Sequence, residues 1–448
     1  MVRQRVGLLM QARRHGKRNC RAHVVEAILR NNCHDARAGF EVKGLEFPTL
    51  DKAEVQRKTV LVRVDINSPI DPKTGEILDD TRIRMCAPTI KELAEKGAKV
   101  VVLAHQGRPG DEDFTTLEEH SKKLSAAIGL DVKYVQDIFG PTAKFAIQKM
   151  QPGEVMLLEN VRFCAEETLK GSSEKMAKTH LVKRLSELAD IYVNDAFGAA
   201  HRSQPSLVGF GAMLPTFAGR LMERELKGLG RALTPERPSV YVLGGAKVDD
   251  SLTIIENVFA KDIADFVLTG GLVGHALLAA SGKDLGKPNL QLLLDKGFGE
   301  EIERAKRLLS QHGNKIKTPL DLIVDESGKP KELGVDQLPT ELPLGDIGSK
   351  TVEEYSKVIS GAKTVVINGP LGIFEKQGFE QGTFKVLEAM ANSQAFTILG
   401  GGHVVAAAHD AGVTDRIKHI STGGGACISF LSGETMPVVE LLTKKTQS

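Results

Sequence analysis

The sequence predicts an α/β protein of two doubly wound parallel-sheet domains joined by a hinge helix. Short apolar runs, such as 59–64 and 239–243, alternate with segments of helical periodicity, as the strands and crossover helices of parallel sheets do. A chain of 448 residues also exceeds what one hydrophobic core usually serves. Near mid-chain an amphipathic segment ends at two prolines, Pro235 and Pro238, and divides this alternation into halves.

The composition argues against several functional classes. A formal net charge of +2 is no nucleic-acid signature, and no apolar run reaches the ~20 residues that a membrane span needs. The five cysteines are scattered and form no C-x-x-C, which argues against a disulfide framework and against a zinc site. We therefore expect a cytoplasmic protein with no nucleic acid and no membrane as partner. Since no feature demands an assembly, we expect a monomer.

Residues 1–42 form a basic segment, with nine Lys or Arg residues against three acidic ones. An organelle transit peptide has a similar arginine-rich, acid-poor composition, but it is also rich in serine, and no serine precedes Ser68. We therefore interpret 1–42 as a basic, flexible N-terminal extension outside the catalytic chemistry, with targeting as the alternative.

Four predicted strands in the first half each deliver an arginine at or shortly after the carboxyl end. The strands are predicted at 59–64, 99–104, 155–158 and 191–193, and the arginines are Arg82, Arg108, Arg162 and Arg202. One such arginine is usually a surface charge. Four at equivalent points of one parallel sheet would converge into a pocket of bidentate donors suited to phosphate and carboxylate. The spacing therefore predicts a small, highly anionic substrate.

Other polar residues accompany these arginines. Asp65 and Asn67 follow the first strand, and His105 and His201 follow the second and the fourth. Asp and Asn at a strand end can bind hydroxyl groups or a carboxylate, but they are also ordinary turn-forming residues. Both interpretations stay open for Asp65 and Asn67 on sequence alone.

Residues 216–233 are predicted to form one amphipathic helix, which Pro235 and Pro238 end. We place the N-terminal domain at 43–215, the hinge helix at 216–235 and the C-terminal domain at 236–425. The proline-rich joint after this helix could act as a hinge, although such joints are more often rigid connectors.

In the second half the predicted strand ends are rich in glycine and poor in arginine. Glycine turns let backbone amides and helix N-termini approach phosphates and leave room for a purine. Lys247, just after the strand at 239–243, could meet a phosphate as a point charge, although an ordinary βα turn with a solvated lysine fits that motif equally well. The glycine-rich strand ends contain Gly244, Gly270, Gly271, Gly369, Pro370, Gly372, Gly400, Gly401, Gly402 and Gly424. This half is predicted to bind a nucleotide.

The nucleotide site is not of the commonest kinds. The sequence contains neither G-x-x-x-x-G-K-[ST] nor G-x-G-x-x-G, which argues against a P-loop enzyme and against a simple dinucleotide dehydrogenase. No histidine or carboxylate spacing typical of a metal site stands out.

Eight ordered motifs resemble those of the phosphoglycerate kinase family, and details such as GGAKVDDS, GGGH and DIGSKT resemble its archaeal-type branch. The resemblance extends from about residue 50 to the C-terminus. The motifs are RVDIN (63–67), DDTRIR (79–84), HQGRP (105–109), LLENVRF (157–163), NDAFGAAHR (194–202), LGGAKVDD (243–250), NGPLGIFE (368–375) and STGGGA (421–426).

This resemblance implies reversible phosphoryl transfer between 1,3-bisphosphoglycerate/ADP and 3-phosphoglycerate/ATP, with Mg²⁺ and closure of the two domains. It also implies that segment 426–448 returns to the N-terminal domain. Carried over by motif, 3-phosphoglycerate would be bound by Asp65, Asn67, Arg82, His105, Arg108, Arg162 and Arg202. The nucleotide would be bound by Gly244, Lys247, Gly271, Gly369, Pro370, Gly372, Glu375, Gly400, Gly401, Gly402 and His403, with Glu375 at the ribose. Transfer would involve Arg82, Lys247, Gly401 and Gly424.

Two places depart from the better-known members of the family. Ser251 stands where a second lysine is frequent, and His403-Val404 stands where Asp-Thr places a carboxylate beside magnesium. Since magnesium prefers oxygen ligands, we expect the metal to be held mainly by phosphate oxygens and water, with His403 near the phosphates, and the sequence assigns no metal ligand. These departures motivate one alternative, a catalytically weakened binding protein on the same scaffold. An unrelated carboxylate ligase is another, but it would leave the arginine set unexplained.

Overall fold

The structure, a computed structural model, describes residues 46–444, so the basic segment 1–42 lies outside the described residues. The described chain divides into two compact units. Unit 1 contains 46–227 and 435–444, and unit 2 contains 228–434. Within residues 46–444, no helix is both long enough and apolar enough to span a membrane.

Unit 1 is built on a six-stranded, all-parallel sheet in the order β3-β4-β2-β1-β5-β6. Its strands are β1 (Thr59–Val64), β2 (Lys99–Leu103), β3 (Val132–Val135), β4 (Val155–Leu158), β5 (Ile191–Asp195) and β6 (Thr216–Ala218). Its helices are α1 (Thr81–Glu95), α2 (Glu118–Ile128), α3 (Pro141–Lys149), α4 (Ser173–Met176), α5 (His180–Ser186), α6 (Pro205–Val208) and α16 (Pro437–Lys444).

The central strands of unit 1 are apolar runs because helices cover both faces of the sheet. In β1 every residue after Thr59 is buried, including Arg63. On one face Leu61 and Met156 pack with Tyr192 and Phe210. Burial of such side chains stabilises the fold by roughly 1.5–3 kcal/mol each.

Unit 2 repeats this plan and adds a small antiparallel sheet. Its six parallel strands lie in the order β15-β14-β13-β7-β8-β9, and the three antiparallel strands in the order β11-β10-β12. The strands are β7 (Ser239–Leu243), β8 (Phe266–Thr269), β9 (Ile316–Lys317), β10 (Asp321–Glu326), β11 (Lys329–Gly334), β12 (Leu344–Ile347), β13 (Thr364–Asn368), β14 (Phe396–Gly400) and β15 (His419–Ile420). The helices are α8 (Val248–Ala260), α9 (Gly271–Ala280), α10 (Lys287–Asp295), α11 (Gly299–His312), α12 (Ser349–Ser360), α13 (Gln381–Asn392), α14 (Gly402–Asp410) and α15 (Gly425–Leu431).

The two parallel sheets confirm the predicted fold class, whereas the predicted start of the mid-chain helix is wrong. Helix α7 (Arg220–Leu233) begins after Gly219, and 216–218 instead form edge strand β6 beside β5. A Cβ on Gly219 would lie 2.3 Å from Asp195 Oδ1, so this close approach requires glycine where strand gives way to helix. The boundary between the two units falls inside α7, after Lys227.

The C-terminal helix α16 belongs to unit 1. The backbone N–H of Val438 donates to the carbonyl of Ala200, 3.3 Å away. A Cβ on Gly211 would lie 2.3 Å from Leu441 Cδ1, which shows how closely α16 packs there. The end of the chain thus contributes to the same unit as β1 to β6.

Candidate functional site: an arginine-lined cavity and glycine-rich strand ends

The four arginines singled out in the sequence follow four neighbouring strands, β4, β2, β1 and β5, of the unit 1 sheet. Because the strands are parallel, their carboxyl ends meet at one edge. Arg108, Arg162 and Arg202 line a cavity of about 510 Å³ at that edge, together with His201 and Lys170. Arg82 does not line this cavity but lies in the first turn of α1.

The guanidinium groups around the cavity crowd one another. Burial lowers the pKa of Arg162 to about 10, and the nearby charges of Arg202, Arg63 and Arg108 add to this effect. Burial also lowers the pKa of Arg202, with Arg108 and Arg63 contributing. Like charges gathered in a partly buried place are stabilised when an anion joins them. The electrostatics of unit 1 therefore favour a multiply charged anion.

Arg82 is held by Asp65 beside this cavity. Arg82 Nη1 donates to Asp65 Oδ2 at 2.7 Å. Burial alone would raise the pKa of Asp65, but the charges of Arg82 and Arg63 and a hydrogen bond from the N–H of Asn67 outweigh it and lower that pKa below its ordinary value. A Cβ on Gly198 would lie 2.3 Å from Asp65 Oδ2, so glycine is required there for the ion pair to form.

The loop that carries Arg108 is held by hydrogen bonds of backbone N–H groups and of the Asn67 and Gln106 side chains. The N–H of Gly107 donates to Asn67 Oδ1 at 2.8 Å, and the carbonyl of Gly107 accepts a hydrogen bond from Arg162. Gln106 Oε1 accepts from the N–H of Ser68 at 2.8 Å and faces His120 Nε2 at 3.0 Å. Asn67, predicted as a ligand, therefore uses its side-chain oxygen to hold the loop that carries Arg108.

Sequence reasoning missed a buried arginine behind these residues. Arg63 in β1 is 2% exposed, and its Nη2 lies 3.0 Å from His105 Nδ1. Arg63 Nε donates to Ser206 Oγ at 2.9 Å, and that hydroxyl contacts Glu167. A charged residue inside the apolar run TVLVRV was the available signal, because such a residue is almost never fully buried unless it is paired.

In unit 2 the corresponding strand ends belong to β14, β13, β7 and β8, which are also neighbours. Here the loops contact one another through their backbones. The N–H of Gly245 donates to the carbonyl of Pro370 at 2.6 Å, and the N–H of Gly271 donates to the carbonyl of Leu371 at 2.7 Å. Gly369 has a φ of +82°, and a Cβ there would lie 2.4 Å from the carbonyl oxygen of Gly244. The amides of Gly245 and Gly271 are thus committed to loop packing.

The glycines that begin the following helices have more space. Gly401, with a φ of +93°, precedes the first turn of α14, and Asn368 Oδ1 would lie 3.0 Å from a Cβ on it. Apart from the adjacent residues and nearby backbone of the same helix, no heavy atom of residues 46–444 lies within 4 Å of the place a Cβ would take on Gly402 or Gly424. His403 in the same turn of α14 is exposed. The N-terminus of α14 can therefore receive an anion.

Lys247 precedes α8 and projects outward. Its side chain is 69% exposed, and its Nζ lies 3.3 Å from Asp250 Oδ2. Ser251, on the same helix, is buried, and its Oγ has no hydrogen-bond partner within 46–444. Glu375, predicted at the ribose, is exposed.

Two further predicted glycines pack against buried side chains. A Cβ on Gly400 would lie 2.8 Å from Cys427 Sγ, and one on Gly372 would lie 2.2 Å from Asp346 Oδ1. In the described part of the chain, no three His, Cys, Asp or Glu side chains are grouped so that they could hold a metal ion.

Comparison with known proteins shows what the chain resembles. A family model described as phosphoglycerate kinase matches residues 50–434. The phosphoglycerate kinase of Methanothermus fervidus is 50% identical over 398 residues, 89% of this chain and 97% of that protein. The crystal structure of phosphoglycerate kinase from Pyrococcus horikoshii OT3 matches with a TM-score of 0.81 at 44% identity, over 89% of this chain and 99% of that one. The structure of phosphoglycerate kinase from Coxiella burnetii gives a TM-score of 0.77 at 33% identity, over 89% and 100%.

Proposed function

The chain belongs to the phosphoglycerate kinase family, and from this premise we propose that the arginine-lined cavity of unit 1 binds 3-phosphoglycerate while the glycine-rich strand ends of unit 2 bind ATP or ADP. The protein is a phosphotransferase that moves a phosphoryl group between 1,3-bisphosphoglycerate/ADP and 3-phosphoglycerate/ATP. Its higher identity to the archaeal proteins than to that of Coxiella burnetii agrees with the archaeal-type branch expected from the motifs.

The crowding of guanidinium groups is the observation that carries the assignment of unit 1. Arg108, Arg162 and Arg202 line one cavity, and burial, with their mutual repulsion added, lowers the pKa of Arg162 to about 10. The phosphate of 3-phosphoglycerate would relieve this repulsion through bidentate hydrogen bonds. Asn67 and His105 would contact the rest of the molecule, and Arg82, held by Asp65, would neutralise charge on the phosphoryl group in transfer.

In unit 2 the proposal distinguishes glycines that shape the loops from groups that meet phosphate. Gly244, Gly271, Gly369, Pro370, Gly372 and Gly400 would form the floor of the site by close packing. The N-termini after Gly401 and Gly424, with Gly402 and His403, would face the phosphates. Lys247 would leave Asp250 to join them, and Glu375 would bind the ribose.

Magnesium enters this proposal as part of the nucleotide substrate. Because magnesium prefers oxygen ligands and keeps several waters, phosphate oxygens and water would supply most of its ligands. In-line transfer with domain closure follows from the family alone. We further propose that the protein is cytoplasmic and monomeric, as expected from its sequence.

One alternative is a protein that binds both ligands but transfers slowly, because it has Ser251 and His403-Val404 in place of the frequent lysine and Asp-Thr. Ser251 is buried, so a lysine in its place would have to extend out of the helix packing to reach the nucleotide. The presence of both Arg82 and Lys247 favours the active enzyme.

The test is ADP formation from Mg-ATP with and without 3-phosphoglycerate. The intact chain, Lys247→Ala and a chain starting at Glu41 would be compared. We expect turnover that depends on 3-phosphoglycerate, collapses in Lys247→Ala and is unchanged in the shortened chain. Tight binding of both ligands without turnover by the intact chain would instead favour the weakened binding protein.

A further inference from the structure

Behind the cavity of unit 1, four side chains from four different segments form one hydrogen-bonded chain, the Glu167–His105 chain. Glu167 lies in the 3₁₀ helix Ala165–Thr168, Ser206 in α6, Arg63 in β1, and His105 after β2. Each member is buried, with Arg63 2%, His105 4% and Glu167 5% exposed. Burying such a series of polar side chains next to a cavity costs folding free energy unless each polar group is hydrogen-bonded.

The direction of each hydrogen bond follows from the chemistry of the groups. A guanidinium can only donate, so Arg63 Nε donates to Ser206 Oγ at 2.9 Å. The hydroxyl proton of Ser206 is then directed to Glu167 Oε1, and the N–H of Ser206 donates to Glu167 Oε2 at 3.0 Å. Glu167 therefore receives two hydrogen bonds from Ser206, and the lone pair of the hydroxyl faces Arg63.

At the other end of the chain, Arg63 determines the tautomer of His105. Arg63 Nη2 lies 3.0 Å from His105 Nδ1, and Arg63 Nη1 donates to the carbonyl of Val64. A proton on Nδ1 would place two N–H groups face to face. Burial and the charge of Arg63 lower the pKa of His105 well below its ordinary value, so the ring carries a single proton. That proton is on Nε2.

We infer that Glu167 is a positioning residue: through Ser206 and Arg63 it fixes the proton of His105 on Nε2, so that this nitrogen donates a hydrogen bond to the acid substrate. Only the hydrogen bond from His105 to the substrate rests on the proposed function. The tautomer is a property of the protein without ligand. Glu167 lines the cavity with Arg162 and Arg202, and its carboxylate accepts hydrogen bonds from the N–H and the hydroxyl of Ser206.

The test uses the full chain labelled with ¹⁵N-histidine, with His105 assigned among the 12 histidines by its loss in His105→Gln. Glu167→Gln and Ser206→Ala break the chain at two points. Glu166→Gln is the matched control, because Glu166 lies in the same 3₁₀ helix but accepts from the N–H groups of His180 and Leu181, 3.0 and 3.1 Å away. Circular dichroism checks that each variant folds.

In the wild type and in Glu166→Gln we expect ¹⁵N shifts of an unprotonated Nδ1 in His105. In Glu167→Gln and Ser206→Ala the Nδ1-protonated form should appear. The KM for 3-phosphoglycerate should rise about tenfold in these two variants, because His105 loses the hydrogen bonds that orient its proton, while the KM for Mg-ATP stays unchanged.

Two results would overturn the inference: a proton on Nδ1 in the wild type, which needs no variant to observe, or a His105 tautomer unaffected by both substitutions. A shifted tautomer with an unchanged KM for 3-phosphoglycerate would support the positioning of His105 by Glu167. It would at the same time remove His105 from the proposed substrate site. The failure of the inference and the failure of the proposed site are thus separate observations.

Discussion

Each unit has its own candidate anion site at the ends of four neighbouring parallel strands, but the groups that would bind the anion differ between the two units. In unit 1 the strands β4, β2, β1 and β5 are followed by long cationic side chains, among them Arg108, Arg162 and Arg202 around one cavity. In unit 2 the strands β14, β13, β7 and β8 are followed by glycines whose backbones touch. The same sheet plan thus supports a side-chain site and a backbone site.

This difference separates what a substitution can damage. The four arginines that follow the strands of unit 1 are partly or fully exposed, and other residues shape the backbone that carries them, so their loss should mainly affect chemistry. The glycines that pack the loops of unit 2 have neighbours at 2.2–2.8 Å from the place of a Cβ, as at Gly244 and Gly271. Their loss should therefore affect folding before it affects binding.

The largest effect is expected for Arg82→Ala in unit 1. We expect kcat to fall about 10²–10³-fold, as when one preorganised donor to a transition state is removed. The matched control is Arg84→Ala. Arg84 is on the same helix, its side chain is 41% exposed against 40% for Arg82, and it pairs with Asp80 at 3.0 Å. Steady-state kinetics measure kcat, and thermal unfolding measures the melting temperature, of both variants.

Equal loss of activity in Arg84→Ala would contradict a specific role for Arg82. A large fall in the melting temperature of Arg82→Ala would also contradict the comparison, since its ion pair with Asp65 would then support the fold.

A smaller effect, on folding, is expected for Gly369→Ala in unit 2. At a φ of +82° an alanine is strained, and its Cβ would lie 2.4 Å from the carbonyl oxygen of Gly244. We expect the free energy of unfolding to fall by about 2–3 kcal/mol. Gly402→Ala is the control, because the described residues leave the space around its Cβ open. Its stability should change by less than about 0.5 kcal/mol.

Urea unfolding followed by far-UV circular dichroism suits this measurement, since the chain has no tryptophan. If Gly369→Ala were as stable as the wild type, the interlocking of the glycine loops would not be a requirement of the fold, and the contrast between the units would weaken.

Much of this comparison was accessible from the sequence, because both sites begin where apolar runs end. The sequence predicts that four arginines converge; Arg108, Arg162 and Arg202 line one cavity, whereas Arg82 does not line it. Asp65 was predicted beside them, and it pairs with Arg82. Periodicity locates strands, and the parallel arrangement brings their ends together.

The rest depends on contacts between distant segments. Glu167 and Ser206 are 39 residues apart, and only packing brings them together behind His105. Antiparallel strand β11, with the exposed sequence KPKELG, has no apolar alternation by which it could be recognised. Strand β6 was mistaken for the start of the helix because short apolar segments fit both periods.

Each unit contains a buried carboxyl group with a raised pKa, and the smallest predicted effect concerns the one in unit 2. Asp195 in β5 accepts from the N–H of Met222 at 3.0 Å, and burial raises its pKa to about 6. Asp346 in β12 accepts from the N–H of Gly382 at 2.6 Å, while its Oδ1 has no hydrogen-bond partner within 46–444. Burial raises the pKa of Asp346 to about 7. If unit 1 alone uses charged side chains at its site, the buried carboxyl of Asp346 in unit 2 should be protonated and uncharged.

The sign of the effect follows from proton binding. Between pH 4 and 7 the folded state keeps the proton of Asp346 while the unfolded state has lost it, so the free energy of unfolding falls as pH rises. The wild type should therefore lose about 1 kcal/mol from pH 5 to pH 6 relative to Asp346→Asn, which has no proton to lose. Urea unfolding of both proteins at several pH values measures this difference.

Asp321→Asn, in the neighbouring strand β10, sharpens the test because the sign is opposite. Asp321 Oδ1 accepts from the N–H of Thr351 at 2.8 Å and Oδ2 from that of Lys350 at 2.9 Å. Burial would raise the pKa of Asp321, but these bonds and the Thr351 hydroxyl lower it. Its contribution is thus already complete by about pH 5, and no difference should develop between pH 5 and 6. A flat difference for Asp346→Asn as well would show that the Asp346 carboxyl is ionised, and that unit 2 also holds an unpaired charge beside its glycines.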